Sequence, residues 1–164
     1  MMENRHKYRR MSTLTRTITL FISQGGFSGR FPVAPGTAGT LAGVLLYWCM
    51  KDLPPIWYGV LLLLIILIGT WAADRTEVLL GRKDSPSIVI DEIAGYLIAM
   101  FLVPDGWKYV AAGFFLFRIF DIIKPYPLKN FEKAPGGVGV MLDDIGAGIY
   151  TNLVLQAAVF FFSR

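Results

Sequence analysis

Histidine and cysteine are almost missing from this chain: each occurs once in 164 residues, as His6 and Cys49. With no second cysteine there is no disulfide framework, and Cys49, set in the apolar run "LLYWCM", reads as a packing residue. A lone histidine in a basic tail gives no credible phosphohistidine nucleophile. That excludes the histidine-dependent lipid phosphatases of the type-2 phosphatidate family. Cys49 also lacks the Gly/Arg loop of a phosphate-binding cysteine nucleophile. There is no Asp-x-Asp-x-Thr/Val stretch for a haloacid-dehalogenase-type aspartyl phosphate. The "DG…AR…G…D…D" pattern of the CDP-alcohol phosphotransferases is missing too. Charge is scarce: 17% of residues, against about 25% in soluble domains.

What fills the chain instead is apolar, at 54% hydrophobic residues and a mean hydropathy of +0.52. Phe31–Met50, Ile56–Ala73 and Ile145–Ser163 are free of charge over 20, 18 and 19 residues. Crossing a hydrocarbon core takes about 20 apolar residues. The fold class expected is all-α, a polytopic membrane helix bundle of about five hydrophobic helices plus a short N-terminal amphipathic segment. The competing reading is a soluble bundle whose core helices are apolar all round. Proline and glycine breaks at "DLPP", "GRKDSPS", "VPDG" and "KPYPLKNFEKAPGGVG" place the membrane helices at about 37–51, 56–73, 88–103, 107–123 and 142–162. The amphipathic segment falls at about 13–24. No internal repeat or signal-peptide cleavage site stands out.

The net charge of +4 would suggest nucleic acid in a soluble protein, but here it gathers in Arg5, Lys7, Arg9, Arg10 and Arg16. Anionic lipid headgroups explain that arrangement better, so no nucleic-acid partner is expected. Keeping this tail in the cytoplasm and alternating sides puts every Lys and Arg inside except Lys51, Lys108 and Arg164. The bias is the positive-inside pattern, and it is independent of the apolar runs and breaks that define the helices. All acidic residues but Asp52 and Asp105 fall on the same side.

Four elements therefore converge at one membrane–water level. "FPVAPGTAGT" (31–40) enters the first long helix, with Thr37 near a helix N-terminus. Asp91 and Glu92 interrupt the apolar run "SPSIVIDEIAGYLIAMFLVP" (85–104). Arg118, Asp121 and Lys124, at spacing three, share one face of the fourth helix. Asp143 and Asp144 open the fifth after "APGGVGVML". Clustered carboxylates need a neutralising cation, and Mg²⁺ takes oxygen ligands from carboxylates plus substrate phosphate. Arg and Lys bind phosphate rather than metal. The combination is what phosphoryl transfer asks for, by hydrolysis with a metal-activated water. Each element also has a plainer reading. Asp91/Glu92 and Asp143/Asp144 serve as first-turn acids, Arg118/Asp121 as a structural ion pair, and "PGTAGTLAG" as a small-residue packing surface. "PGGVG" matches neither a phosphate loop nor a dinucleotide pattern. Coincidence at one depth favours function.

Four blocks in order, "GFSGRFPVAPGTAGTLAG" (26–43), "SIVIDEIAGYLIAMFLVP" (87–104), "AAGFFLFRIFDIIKPYPLKNFE" (111–132) and "GGVGVMLDDIGAGIY" (136–150), resemble the phosphatidylglycerophosphatase A family. The resemblance spans about Gly25 to Ala158, giving a membrane domain at 25–164 behind a basic cytoplasmic segment at 1–24. It implies a bacterial inner-membrane enzyme, multi-pass, with its active site facing the cytoplasm. The activity implied is Mg²⁺-dependent removal of the terminal phosphate of phosphatidylglycerophosphate to give phosphatidylglycerol. On this reading Asp91, Glu92, Asp143 and Asp144 hold metal. Asp121, Asp143 and Arg118 are catalytic, and Thr37, Arg118 and Lys124 lie near phosphate. Two alternatives stay open: a phosphatase of another membrane monophosphate, such as a prenyl phosphate or phosphatidate, and a small cation transporter or channel. An acidic cluster at one end rather than at mid-membrane speaks against transport.

Overall fold

A computed structural model describes residues 12–131 and 134–162, so the basic cluster up to Arg10 lies outside the described residues. The protein is all-helical, 76% helix, with no strand among the described residues. Helix α1 (Thr13–Ser23) starts where the Ser12 hydroxyl accepts the Thr15 N–H. Its apolar residues Leu14, Ile18 and Phe21 face outward, while Thr19 and Ser23 are buried. Ser23 anchors it. Its hydroxyl accepts a 2.7 Å bond from Thr76, and its carbonyl accepts the Val89 N–H at 2.9 Å.

Helix α2 (Pro35–Met50) opens on a proline, whose missing N–H costs nothing at that position. Gly39 and Gly43 lie on its buried face. A Cβ on Gly39 would sit 2.6 Å from the Cβ of Val89, and one on Gly43 would sit 3.2 Å from that of Tyr96. The small-residue stripe is thus a packing surface, and it lets α2 lie close to the chain around α4 (Ile90–Ala99). Cys49 is exposed, not packed as expected, because it points away from this contact with Trp48 and Leu45.

Helix α3 (Pro55–Leu80) runs well past its uncharged stretch, through Asp74, Arg75 and Glu77, and stops at Gly81 in the left-handed region. Helix α4 is shorter than the 88–103 expected. Its last turn opens because distant side chains take its carbonyls: Asn152 donates to Ala99 and Phe101, and Gln156 to Leu102. Ten residues span about 15 Å, half a hydrocarbon core. Helix α5 (Trp107–Ile123) falls where expected, and a four-residue α6 (Leu128–Phe131) follows. Helix α7 (Gly136–Phe162) begins six residues before the expected start.

Helix α4 is the centre, with Tyr96 and Leu97 fully buried. It crosses α7 through glycines on both sides. A Cβ on Gly95 would meet the Asp144 carbonyl oxygen at 2.6 Å, and one on Gly148 would collide with the Gly95 carbonyl. Two backbones touch there, which only glycine permits. At the far end, Lys51 pairs with Asp52 at 2.8 Å and Asp105 at 3.4 Å, joining the turns that the charge map puts on one side.

Two helices, α3 and α7, are long and apolar enough to cross a membrane. Helices α2 and α5, at 16 and 17 residues, are shorter. Leu61, Leu63, Leu64, Leu67, Ile68 and Trp71 of α3 are exposed, an apolar face far larger than single scattered residues would make.

Candidate active site

The four elements singled out in the sequence do meet. Asp91 and Glu92 are in the first turn of α4, where the Glu92 N–H donates to Asp91 Oδ1 at 3.1 Å. The dipole part of the plain first-turn reading therefore holds for Asp91 and Glu92, although no side chain caps this helix. It does not hold for Asp143 and Asp144. They lie seven and eight residues into α7, about 10 Å from its start, too deep to serve the helix terminus.

Carboxylate oxygens of Asp91, Glu92 and Asp144 lie within 4.8 Å of one another. Asp91 and Asp144 are buried, at 8% and 3% exposure. Asp121 and Asp143 stand within electrostatic reach of Asp144. Against these charges the described residues set two cations. Arg118 Nη1 is 2.7 Å from Asp121 Oδ2 and 4.0 Å from Glu92 Oε1, and Lys124 pairs with Asp143 Oδ2. Lys124 reaches Asp143 from a left-handed position that ends α5.

Several atoms here are buried with no hydrogen-bond partner: Glu92 Oε2, Asp144 Oδ2, Asp143 Oδ1 and Arg118 Nε. Unsatisfied buried polar atoms cost about 1–3 kcal/mol each, more when charged, so a cluster of them marks a place built for something else. Hard oxygen donors alone, with no sulfur or nitrogen, fit Mg²⁺ or Ca²⁺. Oxygens bound to Mg²⁺ at about 2.1 Å lie at most about 4.2 Å apart, so the observed spread closes with small side-chain rotations. The donor set fits. Asp143, expected among the metal ligands, has one oxygen on Lys124 and the other without partner.

Thr37 is in the first turn of α2, partly buried. Its neighbour Gly36 is the residue that sequence reasoning passed over. A Cβ on Gly36 would collide with Glu92 Oε1 and come within 3.1 Å of Arg118 Nη1. The first turn of α2, with its unpaired N–H groups, thus lies directly on the Glu92–Arg118 pair. The obstacle is two side-chain ends, which can move, so Gly36→Ala should fold but displace both groups. The expected result is a loss of about tenfold or more in kcat/KM with little change in melting temperature. An unchanged rate would remove Gly36 from the site.

Residues 21–159 match the family model for phosphatidylglycerophosphatase A. The chain belongs to that family. A protein of Escherichia coli named phosphatidylglycerophosphatase A is 38% identical over 154 residues, covering 92% of this chain and 90% of its own. A Haemophilus influenzae protein of the same name is 38% identical over 143 residues, covering 83% and 85%. A Bacteroides thetaiotaomicron protein, provisionally named phosphatidylinositol-3-phosphatase, is 39% identical over 149 residues, covering 86% and 93%. No solved structure matches the chain. Membership makes the chain an enzyme, a phosphoric monoester hydrolase, and the matched residues include all four of the sequence blocks that meet at the cluster.

Proposed function

We propose that this chain is an integral, multi-pass protein of the bacterial inner membrane that hydrolyses the terminal phosphomonoester of phosphatidylglycerophosphate in a Mg²⁺-dependent reaction. Phosphatidylglycerol is the product, and the cluster faces the cytoplasm. The observation that carries the reading is the carboxylate trio of Asp91, Glu92 and Asp144 beside Arg118, in a chain of this family. The outward apolar face of α3 and the positive-inside distribution support the membrane placement.

Asp91, Glu92 and Asp144 would hold Mg²⁺, which when bound neutralises phosphate charge and makes water a better nucleophile. Arg118, with Nε still unpaired, binds a phosphate oxygen and stabilises the charge that develops on it. Asp121 fixes Arg118 and accepts the proton of the attacking water. Lys124 steadies Asp143 and adds positive charge near the phosphate. Thr37 and the first N–H groups of α2 face anionic substrate from the Gly36 side. Acyl chains stay in the bilayer, so no large soluble domain is required.

The test is phosphate release by purified enzyme from a lipid panel: phosphatidylglycerophosphate, phosphatidylinositol 3-phosphate, phosphatidate and a prenyl phosphate. The inositol lipid belongs there because of the Bacteroides relative's name. Phosphatidylglycerophosphate is expected to turn over fastest, with activity abolished by EDTA and restored by Mg²⁺. Cation flux into liposomes with no phosphate release from any lipid would replace the hydrolase reading by a transport one.

A further inference from the structure

A pocket of about 260 Å³ opens beside the cluster, lined by Lys83, Asp84, Gly139, Val140 and Asp143. None of the roles assigned above uses Lys83. The residue sits on the loop after α3, and that loop is held in place. Asp84 adopts a left-handed backbone, and its N–H donates a 2.6 Å bond to Glu77 Oε1 in the last turns of α3. Lys83 is exposed at the rim. The inner wall is different in kind: Asp143 is buried, and its Oδ1 has no partner. One pocket thus joins a long-stemmed cation at the mouth to the acid that borders the reaction centre.

The chemistry of the substrate class matches this arrangement. Phosphatidylglycerophosphate carries two phosphates, the monoester that is removed and the diester that links the headgroup to the lipid. Phosphatidylinositol 3-phosphate, the lipid in the Bacteroides relative's name, has the same pair. A phosphomonoester placed among Arg118, Asp121 and the carboxylate trio leaves the diester nearby, singly charged and unmatched by any of those groups. The pocket is slightly below the usual range for drug-sized ligands, about 300–1,000 Å³, and suits a small polar headgroup. A headgroup hydroxyl that donates to the unpartnered Asp143 Oδ1 keeps the diester at the Lys83 rim and away from the two acids of the lining. An ammonium on a flexible stem is a good point-charge partner for a diester with one negative charge.

We propose that this pocket is the headgroup subsite and that Lys83 binds the diester phosphate, making it a specificity residue of the hydrolase. The assignment rests on the lipid-phosphatase reading. Because the contact exists before and during hydrolysis alike, its loss changes binding and leaves the chemical step intact. Lys83→Ala should raise KM for phosphatidylglycerophosphate about tenfold with kcat retained. It should also weaken inhibition by phosphatidylglycerol, which keeps the diester and lacks the monoester, by a similar factor. Lys83→Arg should restore most of both.

The control is Lys129→Ala, which removes an exposed lysine outside the pocket and so reports any general effect of surface charge on micelle binding. Equal KM and inhibition changes in the Lys83 and Lys129 variants would overturn the assignment, as would a Lys83→Ala enzyme indistinguishable from wild type. A wild type that releases no phosphate from the lipid would overturn the functional reading and this assignment together. Normal wild-type turnover with an indifferent Lys83 would overturn the assignment alone.

Discussion

Replacing Asp144 with asparagine is expected to lower phosphate release about a thousandfold, roughly 4 kcal/mol of transition-state stabilisation, while leaving the protein folded. The first half follows from geometry. Asp144 supplies one of the three oxygens grouped within 4.8 Å, and an amide is a weaker ligand than a carboxylate for a hard cation. The second half follows from electrostatics. Asp144 is buried among Glu92, Asp121 and Asp143, so in the absence of metal its charge repels three neighbours. The Asp144→Asn change removes that repulsion at nearly constant volume. In metal-free buffer the variant should melt at the wild-type temperature or above it. Mg²⁺ at about a hundred times its dissociation constant should then stabilise the wild type by about 2.7 kcal/mol and the variant far less. Phosphate release and thermal melts with and without Mg²⁺ measure both halves. Activity within about tenfold of wild type would take Asp144 out of the metal site.

The Asp121→Asn enzyme is expected to lose a factor of about 10²–10⁴ in kcat. Asp121 does two things at once in the proposed reaction: it holds Arg118 at 2.7 Å, and it accepts the proton of water. Asparagine retains some of the first and none of the second. The loss should therefore appear in kcat, with KM moving little, because substrate binding in the proposed reaction draws on Arg118, Lys124, the start of α2 and Lys83. A loss in kcat/KM carried by KM alone would reassign Asp121 to positioning Arg118. Steady-state kinetics on the insertion-competent variant separates the two.

The sequence carried the α-class, the place of α5 and the convergence of Asp91, Glu92, Arg118, Asp121, Lys124, Asp143 and Asp144, because each leaves a local trace. Charge inside an apolar run is expensive, so the exceptions point to a site wherever they occur. The start of α7 was less readable. "APGGVGVML" looks like a loop by composition, yet Gly136–Leu142 is helical. The apparent breaker is a packing device: a Cβ on Gly137 would collide with the Thr70 carbonyl and lie 2.7 Å from the Asp74 backbone nitrogen. The early end of α4 was unreadable for another reason. Its cause lies in Asn152 and Gln156, about fifty residues away, and no window around Ala99 contains them. Gly36 was hidden in the same way. Its value depends on Glu92 and Arg118, which reach it from two other helices.

The glycine crossing of α4 and α7 sets the spacing of the carboxylates through main chain rather than through rotamers. Such a frame resists retuning: an added methyl at Gly95 would run into the Asp144 carbonyl and the Phe117 ring at 2.6 Å, and one at Gly148 into the Gly95 carbonyl, so either forces the two helices apart. On the proposed reading, chemistry and selectivity are carried by separate parts, a stiff anvil of crossed backbones and a replaceable collar around Lys83. Divergence towards new lipids is expected to rewrite the collar and leave the anvil alone.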